Sequence, residues 1–291
     1  MQRAATLGAQ FLGESLPPVK RFLASRLNSD GGFADRAGRS DLYYTVFGVQ
    51  AMRAAGMTPL PHCVADFVRK QAGRLDELDL VHAACLARLR AELDGDAMAS
   101  VPAEHIARSI EHFRTADGGY GAASGSPSGS VYAAFLAVAA YQDLQLAMPQ
   151  PERLAQSLSK LRRPDGGYAN DTAVPVSLTT ATAAAAVTLH ELGAPPDPSL
   201  ADWLLARCDA EGGFFASTLA PLPDLLSTAT ALHALSSLRA DIRGIREACL
   251  DFLDTLWSSQ GAFHGSWADD ALDCEYTFYG LLALGHLADG L

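Results

Sequence analysis

Two kinds of apolar pattern alternate along this chain. One is a nearly continuous apolar run of about four helical turns, ending in a polar stop such as Arg53–Gly56 or Glu191–Gly193. The other has apolar positions on one face only, as in Leu154–Leu161 and Ile245–Leu256. The first predicts a helix buried on nearly all sides, the second a helix that covers it. Leu178–Leu192, broken by threonines and closed by His190-Glu191, reads as such a buried helix.

A short phrase separates the two kinds of run and recurs: Asp30-Gly31-Gly32-Phe33, Asp117-Gly118-Gly119-Tyr120, Asp165-Gly166-Gly167-Tyr168, Glu211-Gly212-Gly213-Phe214 and a worn Gln260-Gly261-Ala262-Phe263. The last four copies are spaced by 46–49 residues and the first gap is 87, room for a hidden repeat with Gly73 near its middle. A glycine pair permits a tight turn with positive φ, and the aromatic after it can pin that turn to the core. A second phrase follows. It reads Asp41-Leu42-Tyr43-Tyr44-Thr45-Val46-Phe47-Gly48 in the first repeat and Asp273-Cys274-Glu275-Tyr276-Thr277-Phe278-Tyr279-Gly280 in the last. Asp79 and Asp224 begin the corresponding runs of the second and fifth repeats, and Ser130 and Ser177 those of the third and fourth. An Asp or Ser ahead of an apolar run reads as a helix N-cap. Two helices per repeat of about 45 residues, six times over, give an all-α fold that is either a solenoid or a closed ring. The first and last repeats are the most alike, as neighbours in a ring would be. We therefore expect a single α/α toroid over 1–291, with repeats at about 28–288 and an N-terminal helical segment at 1–27.

Composition narrows the function. Lys+Arg is 22 and Asp+Glu 33, a formal charge of −11, which argues against a nucleic-acid ligand. The five cysteines are scattered, with no C-x-x-C pair. Neither a disulfide framework nor a cysteine zinc module is expected, and reduced thiols fit a cytoplasmic protein. No stretch of 18 apolar residues predicts a transmembrane helix.

Gly-Gly-aromatic turns followed by Asp-x-x-(His/Tyr)-Thr-x-Phe-Gly helices resemble the β subunits of protein prenyltransferases, most closely the Rab geranylgeranyl type. They also resemble the wider superfamily of squalene and class II terpene cyclases. The resemblance covers roughly residues 28 to 288. It implies a greasy central funnel lined by inner helices, an isoprenoid ligand, and chemistry at the inner helices' N-terminal ends. Tyr43, Tyr44, Phe47, Tyr132, Phe135, Tyr276 and Tyr279 are then candidate wall residues, though plain core packing accounts for each equally well. The resemblance also leaves room for a helical partner subunit.

Three family features are missing. The prenyltransferases bind zinc through an Asp and a Cys two residues apart and a His in the last repeat. Here Asp224 matches the first, Leu226 stands for the Cys and Tyr276 for the His, so zinc is not expected. His82 occupies the His-like helix position of the second repeat. The cations that meet a diphosphate are absent before Asp224; Arg36 and Arg39 in the first repeat are the nearest substitutes. No Asp-x-Asp-Asp tetrad of the class II cyclases occurs, Asn170-Asp171-Thr172-Ala173-Val174 and Trp267-Ala268-Asp269-Asp270 being the nearest fragments. The catalytic candidates are Asp41, Asp79, Asp224, Asp273 and Tyr276. Glu275 and His82 join the aromatics and the two arginines as substrate-binding candidates. Each Asp reads equally as an N-cap, as a protonated acid in an apolar cavity, or as a ligand for Mg²⁺ bridging to a diphosphate. Prenyl transfer to a non-cysteine acceptor, class II-type cyclisation, and non-catalytic isoprenoid or protein binding all remain open.

Overall fold

The computed structural model describes residues 1–93, 98, 100–195 and 197–288. Helix α1 (Gln2–Phe11) precedes six outer–inner helix pairs: α2 (Leu16–Ser25) with α3 (Leu42–Ala54), α4 (His62–Ala72) with α5 (Leu80–Glu92), α6 (Ala103–Glu111) with α7 (Val131–Asp143), α8 (Pro151–Ser159) with α9 (Thr179–Glu191), α10 (Pro198–Leu205) with α11 (Leu225–Ser237), and α12 (Arg246–Thr255) with α13 (Cys274–Ala288). Each inner helix packs on the next, and α13 packs on α3, so the inner helices close into a ring. The expected toroid is what the chain forms, and the first and last repeats are neighbours.

The glycine turns link one repeat to the next. The first glycine of each copy, the worn one included, has φ of 89–93°. A Cβ on Gly212 would lie 1.9 Å from the Ala248 carbonyl oxygen at the start of α12, and one on Gly261 would lie 2.2 Å from the Pro18 carbonyl carbon in α2. Both positions therefore need glycine for conformation and for space. The Gly261 contact carries the last repeat's turn onto the first repeat's outer helix, closing the outer layer as well. Gly73 does not make such a turn. It is the C-cap of α4 with φ −64°, and a short 3₁₀ turn at Leu75–Glu77 leads into α5 instead.

The residue after the glycine pair latches the turn to its own inner helix. Phe33 N–H donates to Thr45 Oγ1 at 3.0 Å, Tyr168 N–H to Thr182 Oγ1 at 2.9 Å, and Phe214 N–H to Thr228 Oγ1 at 2.9 Å. The threonine hydroxyls of Thr45 and Thr228 donate in turn to the carbonyls of Asp41 and Asp224, one helical turn back. The aromatic rings seat on glycines: a Cβ on Gly48 would meet the Phe33 ring at 2.2 Å and one on Gly280 the Phe263 ring at 2.3 Å. Short antiparallel ladders run beside the latches. They are β1 (Phe33–Ala34) with β2 (Ser40–Asp41), β3 (Phe214–Phe215) with β4 (Pro223–Asp224), and the three-stranded β5 (Trp257–Ser258), β6 (Ala262–Ser266) and β7 (Asp269–Leu272).

The N-terminal segment splits in two. Helix α2 serves as the first outer helix, whereas α1 lies against α13 and α3. The approach of α1 to α13 is backbone to backbone: a Cβ on Gly8 would stand 1.9 Å from the Leu281 carbonyl oxygen, and one on Gly285 1.7 Å from that of Ala4.

If the threonine latch holds the turns, Thr228→Val should leave the buried Phe214 N–H without an acceptor. The expected loss is about 1–3 kcal/mol of stability, read from urea unfolding, with Thr228→Ser losing clearly less. Equal losses for the two substitutions would assign the effect to packing alone.

Candidate functional site

The inner helices begin at one end of the ring. Four of them are capped by the predicted acids and α7 by Ser130, whereas α9 starts after Leu178 with no side-chain cap, Ser177 bonding Asp165 instead. Asp41 accepts from the N–H groups of Tyr43 and Tyr44, Asp79 from His82, Asp224 from Ser227, and Asp273 from Tyr276. Each satisfies donors that a helix start leaves open. Asn170 does the same for α7 from the neighbouring repeat, taking the Val131 N–H on its carbonyl and the Tyr132 N–H on Oδ1.

Two cations lie among these acids, each held by a pair of carboxylates. Arg36 meets Asp273 and Asp269, both at 2.9 Å, and its guanidinium stands 5.4 Å from the Tyr276 ring centre. The Asp273 carboxylate is wholly buried, so this pair ties the first repeat to the last. His82 bridges Asp79 at 2.7 Å and Asp41 at 3.1 Å, tying α5 to α3. The Asp41 bond, helped by Asp79 and opposed by burial, lifts the imidazole pKa to about 9. Burial raises the Asp41 carboxyl, but the His82 bond and the Tyr44 and Tyr43 N–H groups outweigh it and the net shift is downward. Arg39 is 81% exposed and pairs with Asp35, which turns it away from the ring interior.

Inside the ring lies a cavity of about 550 Å³, within the range of roughly 300–1,000 Å³ that suits small-molecule sites. Tyr43, Tyr132, Phe135 and Tyr279 line it. Phe47 packs behind them, 4.9 Å from the Tyr43 ring and 5.3 Å from that of Tyr279. Tyr44 and Tyr276 are not part of the wall. Small side chains of α9, among them Ala181, Ala184 and Val187, complete the lining with Leu226 and Leu282.

Two carboxyls near the aromatic side are raised above their ordinary range. Glu275, at the start of α13, is raised chiefly by burial, against the bond that Tyr43 donates to its Oε1 at 2.5 Å. Asp224 is raised by burial against two bonds from Ser227. The phenols of Tyr43, Tyr132 and Tyr279 are all pushed up by burial and remain neutral.

Sequence reasoning did not single out His233, which lines the cavity and shares a 3.1 Å bond with His286. Burial pushes its pKa down to about 3, so the ring is neutral. Its signal was available: Thr230 and His233 are polar residues one helical turn apart inside an otherwise apolar run.

Matches to a family model for the prenyltransferase alpha-alpha toroid domain cover residues 15–84, 81–192 and 176–289. The chain belongs to this toroid family. Solved structures with the same fold include the type II terpene cyclase MstE from Scytonema in complex with geranylgeranyl dihydroxybenzoate (14% identity, 97% of each chain, TM-score 0.62). Candida albicans protein geranylgeranyltransferase-I complexed with GGPP matches at 13% identity over 94% of this toroid and 90% of that chain, TM-score 0.67. The polysaccharide lyase BACCELL_00875 matches at 14% identity over 97% and 99%, TM-score 0.60. At these identities the likeness is one of fold. No curated protein sequence matches the toroid.

The zinc of the family's protein prenyltransferases does not suit these residues. At the three ligand positions, the Asp224 carboxylate is bonded to Ser227, Leu226 offers hydrocarbon to the cavity, and the Tyr276 ring stands beside Arg36. Among the described residues, no three His, Cys, Asp or Glu side chains are grouped to hold a metal ion.

Because the folded His82 value of about 9 exceeds the ordinary 6.5, its stabilisation is complete below pH 6.5 and fades as pH rises through 9. The Tm of the toroid should therefore fall across that alkaline window, and His82→Gln should flatten the fall. An unaltered slope in His82→Gln would show that another group titrates there.

Proposed function

We propose that this toroid is an isoprenoid-processing enzyme that holds a polyprenyl chain in its central cavity and starts its reaction by protonating an alkene. The observation that carries this reading is the Glu275–Tyr43 pair: a carboxyl pushed toward its neutral form by burial, bonded to a phenol on the wall of an apolar, aromatic cavity. Alkene protonation needs an acid that is neutral at rest and whose anion is stabilised once the proton has left. Burial moves Glu275 in the direction of the first need and the Tyr43 hydroxyl meets the second. For the reaction the bond between them reverses: protonated Glu275 donates to the Tyr43 oxygen and passes its proton there as Tyr43 gives its own to the terminal alkene carbon. A C–H bond forms, and a tertiary cation and the Glu275 carboxylate remain. The rings of Tyr43, Tyr132, Phe135 and Tyr279 surround the space where the cation develops, and aromatic faces attract positive charge. Proton loss from the cyclised or isomerised cation balances the reaction.

Prenyl transfer from a diphosphate is the competing reading, favoured by the sequence phrases. It needs free cations at the mouth. Arg36 and His82 each already carry two carboxylate partners, and Arg39 pairs with Asp35. The rim they leave is acidic and repels a diphosphate. The absent zinc donors weigh against cysteine as acceptor. That a protein of this fold, MstE, is a type II terpene cyclase with an isoprenoid-bearing substrate supports the protonation reading.

The test offers polyprenyl alcohols, polyprenyl-substituted aromatics and geranylgeranyl diphosphate to the purified toroid. A product isomeric with its substrate, with no diphosphate released, is expected. Glu275→Gln should then reduce turnover by about 10²-fold or more while the ligand still raises Tm. Diphosphate release with transfer to an acceptor would replace this reading by prenyl transfer. Ligand-induced stabilisation with no product from any substrate would make the toroid a binding protein.

A further inference from the structure

Two of the five cysteines that are scattered in sequence meet in space. Cys208 follows α10, Cys249 lies in α12, and their sulfurs are 3.8 Å apart. Cys249 is wholly buried, whereas Cys208 is only partly covered. The turn between them explains the approach. Gly212 lies so close to α12 that a Cβ there would collide with the Ala248 carbonyl, and Cys208 bridges to Phe214 at the turn's end.

We propose that Cys208 and Cys249 form a thiol pair that low-molecular-weight disulfides convert reversibly into an intramolecular disulfide, Cys208 being the entry point and Cys249 the resolving thiol. The sulfurs must close from 3.8 Å to about 2.05 Å. Either sulfur can be the donor in the contact between them, and Cys208 also donates toward the Asp209 carbonyl. The Cys249 contact and burial hold the Cys208 thiol above the ordinary range, so exchange begins when alkaline solvent takes the Cys208 proton and leaves the thiolate that attacks a disulfide. In the first step the Cys208 thiolate attacks R–S–S–R, forms Cys208–S–S–R and expels one thiolate, R–S⁻. In the second the Cys249 thiol gives its proton to the departing R–S⁻, its sulfur attacks the Cys208 sulfur, and the Cys208–Cys249 bond forms as the second R–S⁻ is expelled. Two protein thiols are oxidised, one external disulfide is reduced, and excess thiol reverses the exchange.

The bond would brace the fifth repeat at a defined place. Cys208 bridges Phe214, and Phe214 pairs with Asp224, the cap of α11 at the cavity's acidic end. A cross-link over residues 208–249 restrains the unfolded chain and raises stability.

Folded, full-length protein is treated with glutathione disulfide, its remaining thiols are alkylated in denaturant, and the digest is read by mass spectrometry. The expected result is a cross-linked peptide pair containing Cys208 and Cys249, reversed by dithiothreitol, with Cys85 and Cys274 alkylated. The oxidised protein should melt several degrees higher than the reduced one. In Cys249→Ser a stable glutathione adduct should accumulate on Cys208, and Cys208→Ser should give neither adduct nor cross-link at this site. Alkylation of both cysteines after oxidation, or a persistent glutathione adduct on Cys208 in the unsubstituted protein, would overturn the proposal. If Cys249→Ser fails to fold, Cys249→Ala carries the same comparison.

Discussion

The bond from a backbone N–H after the glycine turn to a threonine hydroxyl on the inner helix is the contact on which the toroid depends. It places a buried donor on a buried acceptor, and leaving either unmet would cost more than the bond itself contributes. The threonine can accept because its own proton goes to a carbonyl one turn back, as Thr228 does to Asp224. The pairing fixes how far each inner helix slides against its turn. The aromatic ring that follows then sits on the helix face, at Gly48 for Phe33 and at Gly280 for Phe263. Where it recurs, at Phe33, Tyr168 and Phe214, the bond fixes the inner helix against its turn, and the capping acids gather at one end of the ring.

That gathering creates an electrostatic problem, met by the two cations at the mouth. Asp41 and Asp79 share His82, and Asp269 and Asp273 share Arg36. Both links cross between repeats, so the charges that neutralise the rim also hold the ring together. Glu275 has no cation to itself. Its partner is the phenol of Tyr43, which supports the carboxyl without forcing its ionisation. The proposed acid is thus a carboxyl, like Asp224, that the structural ion pairs leave without a cation, and the one of the two that is bonded to a phenol of the cavity wall.

Much of the architecture was legible because it repeats. The glycine phrases fixed the period, the unbroken apolar runs marked the inner helices, and the match between the phrases at Asp41 and Asp273 pointed to a closed ring. The acids were legible as caps, since a cap is a local arrangement read within three residues. Gly73 was misread for the same local reason. A glycine near the right spacing looks like a worn turn, but in the chain it ends α4 with ordinary helical φ.

What the sequence determined by itself was the helical repeat, the capped inner helices and the residue types at their starts, because these follow from spacing and short-range hydrogen bonding. Tertiary structure alone decided which of those residues face the cavity. It put Tyr132 and Tyr279 on the wall, set Tyr44 and Tyr276 aside, turned Arg39 to solvent beside Asp35, and brought His233 to the lining. It also brought Tyr43 to Glu275 and Cys208 to Cys249. The reason is geometric. Adjacent helix positions differ by about 100° in direction, so a side chain's exposure depends on how its helix is rotated against both neighbours. That rotation is set by contacts between repeats, such as Arg36 with Asp273, whose partners lie at opposite ends of the chain.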